Sequence, residues 1–251
     1  MAFKRSLWME LFPRDKSPKF PCPSCDEGRL IARKDSLLIE EPKYSKAARS
    51  HDDWEPDWDV ERFSLKLLCD HEDCGEIVFV HGSTSLVEDY DDEFGYVLVS
   101  VLQPSSFSTA PPMIALPKKL PPSVIRQMRQ VFALYWVDIG SAGNRLRTSL
   151  EGVLDDLQVP RQALSKKTGA MVDLDLNGRI QSLEKKSHDQ AQTFHALRMI
   201  GNIGSHTTEL SREALLDALE LYEEALTEIY SNRKVYLDAL KQKIIKTKGH
   251  Y

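Results

Sequence analysis

The chain has 251 residues, enough to bury a core in one large or two modest domains, with 41% hydrophobic residues, 28% charged residues and a net charge of −5. This composition excludes a mainly disordered chain, a collagen-like repeat and a disulfide-scaffolded miniprotein. No uncharged apolar run approaches the roughly 18 residues that a bilayer span needs. The opening MAFKRSLWMELF has no apolar region behind its basic residues, so a cytoplasmic protein without membrane association is expected.

Charge is unevenly spread: residues 1–50 carry +4, residues 51–100 carry −13 and the remainder carries +4. The acidic middle argues against indiscriminate binding to duplex nucleic acid. Lys241, Lys243, Lys246 and Lys248 cluster near the end, where cations suit a solvated helix C-terminus.

In chain order, the first half is strand-like. Leu37–Ile39, Phe63–Leu68, Glu76–Val80 and Tyr96–Leu102 are short and β-rich. Both alternating faces of Tyr96–Leu102 are mostly apolar, which predicts a strand covered on both sides. Pro104 to Pro122 holds six prolines and reads as an extended connector. Everything after it reads as helix. Pro121-Pro122-Ser123 starts one, with Val124, Met128, Val131, Phe132 and Tyr135 as its stripe. A second carries Ala142, Leu146, Leu150, Val153, Leu154 and Leu157. A third, short helix carries Leu176, Ile180 and Leu183. A fourth runs from about Asp189 to Ile203, and a fifth from about Ser211 with Leu215, Leu219, Tyr222, Leu226 and Ile229. The expected fold is α+β, with a small β-rich zinc-ribbon-like domain over residues 1–110 followed by a mainly α-helical bundle over residues 111–251.

The four cysteines form two close pairs, Cys22-Pro-Ser-Cys25 and Cys69-Asp-His-Glu-Asp-Cys74, each followed by a glycine within three residues. Two such loops, each turning two thiolates toward one ion, complete a tetrahedral structural zinc site. Four protein ligands leave no open coordination position, so this zinc holds the fold and does no chemistry. A redox pair lacks the right βαβ setting, and a disulfide lacks an export signal. His71 lies inside the second loop, either as a replacement ligand or as an exposed residue. The stretch from His51 to Asp59 sets Trp54 and Trp58 among five acids. It reads either as a segment that recruits a partner protein or as a loop pinned by its two aromatics.

On the fourth helix, His195, Arg198, Asn202 and His206 fall within about 80° of one another if the helix persists. Imidazole, guanidinium and amide on one face are the inventory for metal-independent RNA cleavage. The alternative is that Gly201 and Gly204 end the helix at Ile203 and leave His206 capping a loop.

The segment Pro111 to Tyr230 resembles the bacterial family catalogued as domain of unknown function 4145. The resemblance rests on Leu120-Pro121, on Leu146-Arg147-Thr-Ser-Leu150-Glu151, on Leu176 with Ile180, and on Leu197-Arg198-Met-Ile-Gly201-Asn202-Ile-Gly-Ser-His206. A long last helix ending Glu228-Ile229-Tyr230 completes it. The resemblance implies a HEPN-like bundle, a homodimer through that bundle and a place in bacterial defence or a toxin–antitoxin system acting on RNA. It also implies Arg198, Asn202 and His206 as catalytic residues of a ribonuclease leaving 2′,3′-cyclic phosphate ends, with Arg147, Glu151 and His195 in support. HEPN ribonucleases place four to six residues between Arg and His, whereas seven separate Arg198 from His206. Arg147 and Glu151, at i and i+4, are expected as a helix pair or as a bridge orienting the fourth helix. Two rival readings are a non-catalytic dimerising module whose ribbon recruits a protein, and a DNA-targeting subunit of a restriction-like complex.

Overall fold

A computed structural model describes residues 3–9, 11–14, 17–165, 168–203, 210–231 and 233–249, with the backbone alone for 233–235. The chain is α+β and divides into two compact units. One is a β unit of Lys4–Met113 with Phe132–Asp138. The other is a helical unit built from Ile114–Val131 and from Ile139 onward.

The β unit holds one antiparallel sheet of seven strands: β1 (Phe12–Pro13), β2 (Phe20–Pro21), β3 (Arg29–Ala32), β4 (Leu38–Glu40), β5 (Arg62–Cys69), β6 (Ile77–Asp91) and β7 (Gly95–Phe107). Its order is β1-β7-β6-β5-β3-β2, and β4 also pairs with β5. One short helix, α1 (Ser6–Met9), precedes β1, and another, α2 (Lys43–Ala48), lies between β4 and β5. Alternation along β5 buries Phe63, Leu65 and Leu67, and Leu65 and Leu67 stand opposite Val80 and Val78 of β6. The residues of β5 opposite to these in the alternation stay half-exposed. Phe20, Trp8, Phe107 and Trp136 close an aromatic cluster with ring centroids 4.8–6.2 Å apart.

Three expectations for this half need correction. The strand expected over 76–80 runs on to Asp91, and β7 runs from Gly95 to Phe107. Pro104 therefore lies in a strand and not in the connector. It stands opposite Gly82, where the register shifts after His81. A Cβ at Gly82 would lie 2.1 Å from the Gln103 carbonyl oxygen, so the bulge needs glycine there and accepts a residue without an N–H. Nor is Tyr96–Leu102 covered on both sides. Val101 and Leu102 are buried, but Tyr96 is 80% exposed and Leu98 57%. The reason is that β5 pairs with β6 only as far as Ser83 and β1 with β7 only at Val101 and Leu102, so the rest of the β6–β7 hairpin has no flanking strand among the described residues.

The helical unit contains α3 (Pro122–Val137), whose residues from Phe132 on belong to the β unit, then α4 (Ile139–Asp156), α5 (Leu176–Glu184), α6 (His188–Ile203), α7 (Arg212–Tyr230) and α8 (Arg233–Thr247). Asp175 caps α5 by accepting from the Gly178 N–H at 2.7 Å, and Ser211 caps α7 through the Ala214 N–H. Leu146, Leu150, Val153 and Leu154 on α4, and Leu215, Leu219, Tyr222 and Leu226 on α7, are fully buried at the spacing of one helical face. Not everything here is helix: β8 (Gln162–Leu164) and β9 (Met171–Asp173) form a hairpin between α4 and α5. The fifth expected helix is α7, which ends at Tyr230 where Ser231 turns extended (φ −90°, ψ 141°), and α8 follows as a further helix.

One buried cation was not anticipated. Arg179, 3% exposed, donates to Asp155 Oδ1 at 2.7 Å and to the carbonyls of Val159 and Glu151. It thereby ties the last turns of α4 to the turn that follows them. The Arg161 and Arg179 guanidiniums hold the Asp155 carboxyl below its ordinary value. No helix among the described residues is long and apolar enough to cross a membrane.

Candidate functional site

The chain order of the cysteines is local, but their meeting is made by the sheet. Cys22 follows β2 and Cys69 ends β5. β3 pairs with both strands, setting Leu30 against Phe20 on one side and against Cys69 on the other. Backbone bonds from Cys22 N to Gly28 O (3.1 Å) and from Cys69 N to Glu76 O (2.8 Å) close the two loops. Gly75, at φ +58°, makes the turn after Cys74. The Ser24 hydroxyl bonds to Glu76 across the loops, and the Arg29 N–H donates to Asp70 Oδ1 at 2.6 Å.

All four sulfurs lie within 4.8 Å of one another, with Cys22–Cys74 and Cys25–Cys69 at 3.7 Å. Four thiolates about 2.3 Å from a tetrahedral ion have sulfurs about 3.8 Å apart. The donor set therefore fits a metal ion, and the four cysteines can hold one. Backbone N–H groups of Ser24, Gly28 and His71 point at the sulfurs of Cys22, Cys25 and Cys69 at 3.3–3.5 Å, which favours thiolate charge there. The Gly28 N–H holds the Cys25 thiol down at about 7, whereas burial pushes Cys69 up to about 12 and raises Cys22. A divalent cation among the sulfurs removes that penalty, because a coordinating thiol is deprotonated outright. His71 is not among the sulfur set. Its Nε2 turns to Glu27 Oε2 at 3.0 Å, so it replaces no cysteine.

The acidic stretch is tied to itself. Arg49 bonds Asp59 at 2.6 Å and Glu41 at 3.1 Å, the Trp54 indole N–H donates to Asp59, and His51 lies against Trp58. Trp54 is half-buried and Trp58 stays exposed.

On α6, Ala191, Phe194, Leu197 and Gly201 are buried, while His195, Arg198 and Asn202 are half-buried on the other side. α6 packs against α4, α5 and α7. Gly201 marks its crossing with α4, where a Cβ would lie 2.8 Å from Arg147 Cβ and 3.2 Å from the Gly143 carbonyl. This close approach lets Arg147 donate to Asn202 Oδ1 at 2.7 Å. The expected Arg147–Glu151 helix pair is replaced by this bond between helices, and no ion pair joins the two among the described residues. Arg198 Nε is buried without a hydrogen-bond partner among the described residues. His206 lies outside the described residues.

Residues 10–105 match a family model described as Domain of unknown function (DUF8608), and residues 129–248 match Domain of unknown function (DUF4145). The second is the family whose resemblance the Arg198–His206 segment carries. No curated protein and no solved structure matches the chain.

Proposed function

We propose that this protein is a component of a bacterial defence or toxin–antitoxin system that acts on RNA, with a HEPN-like helical unit as a metal-independent endoribonuclease and a β unit built on structural zinc. The observation that carries this reading is the donor group on α6. Arg198 keeps a buried Nε–H with no partner among the described residues, and Asn202, its i+4 neighbour, is held by Arg147 through its amide oxygen. With Oδ1 taken, what Asn202 can still offer a ligand is its amide N–H donors, on the same helix as the Arg198 guanidinium. That combination suits a phosphate.

In the reaction, a ribose 2′-oxygen attacks the adjacent phosphorus and the 5′-oxygen leaves, giving a 2′,3′-cyclic phosphate. His206 takes the 2′-hydroxyl proton or supplies the leaving-group proton, Arg198 stabilises the charge on the phosphorane, and Asn202 positions the phosphate. Arg147 is a positioning residue. The HEPN resemblance implies chemistry without a metal and a homodimer that doubles the site across a two-fold axis. Zinc is the ion that four thiolates in a tetrahedron suit best.

Cleavage of a mixed-sequence RNA tests this. Arg198→Ala and His206→Ala each lower the rate by about 10²-fold or more, with unchanged thermal unfolding. A rate that His206→Ala leaves intact overturns the proposal. The second reading, a non-catalytic interaction module, is favoured by the same Arg147–Asn202 bond, since it joins two helices whether or not a substrate binds. It predicts that Arg147→Ala lowers the melting temperature and that wild type cuts nothing.

A further inference from the structure

Beyond Ser83 the outer edge of β6 meets no third strand among the described residues. Where β5 gives out, the Thr84 N–H donates to the Glu61 carbonyl. Near the tip, the Tyr90 N–H turns to the Asp89 carboxylate at 2.9 Å and not to β7. Alternate residues of an antiparallel ladder direct their N–H and C=O to the same side, so Leu86 and Glu88, between these two, also present theirs outward. Asp91 Oδ1 accepts from the Glu93 and Phe94 N–H groups and Gly95 sits at φ +75°, so the tip is a defined turn and the edge is held in shape.

An open edge is a template for another strand, and a two-stranded ribbon is marginal in water by itself. The charge of this edge decides which strand it takes. Glu88, Asp89, Asp91, Asp92 and Glu93 are all exposed toward the tip, and no Lys or Arg occurs from residue 77 to 107. At the other end Leu86 and Val87 are apolar and lie on opposite faces of the strand. Tyr90 and Tyr96 pair across the hairpin, their rings edge-on at 5.4 Å and both exposed, and such rings offer their faces to a cation. Pairing this edge with a second copy of itself would set acid against acid, and the same carboxylates repel phosphate.

We propose that the β6 edge from Leu86 to Tyr90 binds an extended, Lys/Arg-bearing segment of a partner protein as an added strand, on the side of β6 that β5 occupies further back. Backbone bonds at Leu86 and Glu88 hold the segment, apolar side chains meet Leu86 and Val87, and basic ones meet Glu88, Asp89 and the tyrosines. The site lies wholly within the β unit and is independent of the ribonuclease reading.

The probe is the capped peptide Arg-Lys-Val-Val-Val-Lys-Arg, whose symmetry serves either strand direction, titrated with the full chain and followed by fluorescence anisotropy. The wild type is expected to bind it with an affinity that salt weakens. Methylating every peptide nitrogen keeps the charge and removes the backbone donors, and is expected to weaken binding about tenfold or more. Leu86→Pro removes one outward N–H from an edge position that tolerates proline, and is expected to bind about tenfold more weakly than Leu86→Ala. Glu88→Lys with Asp89→Lys is expected to weaken binding by about tenfold too, with unchanged thermal unfolding. A wild type that does not bind, equal binding of the methylated peptide, or undiminished binding by either variant overturns the proposal. So does a dimer that Leu86→Pro dissolves, which would give the edge to a second copy, or an RNA bound by wild type and lost in Leu86→Pro, which would give it to nucleic acid.

Discussion

Gly28 decides how closely the two cysteine loops meet. A Cβ there would lie 2.2 Å from Cys69 Sγ, inside any tolerable contact, and a tight 3.1 Å from Cys25 Sγ. Gly28→Ala is therefore expected to separate the sulfurs and to lower the metal content, measured by native mass spectrometry, from one ion per chain to well below one. Retention of a full ion by the variant would show that the loops tolerate the displacement. The cysteines themselves were legible because C-x2-C and C-x4-C are local patterns. The role of Gly28 was not, because the sulfur it accommodates comes from β5, at the far end of a long insertion. Arg179 was illegible for the same reason: the carbonyls of Glu151 and Val159 and the carboxylate of Asp155 that justify its burial belong to α4 and the turn after it.

At the scale of elements, periodicity found α4 to α7 because each lays one continuous apolar face into a core. It failed where burial gives no pattern. The distal half of β6, with Glu88, Asp89 and Asp91, resembles a loop in composition, and β8 and β9 are three residues each, too short for alternation to register. The α4–α6 crossing is the junction that most affects the candidate site. Gly201→Ala gains about 1 kcal/mol of intrinsic helix propensity, but its methyl meets Arg147 Cβ and the Gly143 carbonyl, neither of which is a flexible chain end. Overpacking of that kind costs about 1–3 kcal/mol, so chemical denaturation is expected to show a net loss of stability. The Arg147–Asn202 bond should lengthen with it. A more stable Gly201→Ala protein would mean that the helices can part without strain and that the bond is incidental.

At the scale of the whole molecule, charge and chemistry are segregated by unit. The β unit carries the −13 segment and the four-cysteine cluster, and the helical unit carries the polar face of Arg147, Arg198 and Asn202. This division favours RNA at the helical unit, since the −13 segment repels phosphate. The most direct test of that account is the end chemistry of RNA incubated with the wild-type protein in magnesium-free buffer. The account predicts fragments ending in 2′,3′-cyclic phosphate that disappear with His206→Ala. Fragments ending in 3′-hydroxyl groups, or RNA left intact at every protein concentration, would contradict it.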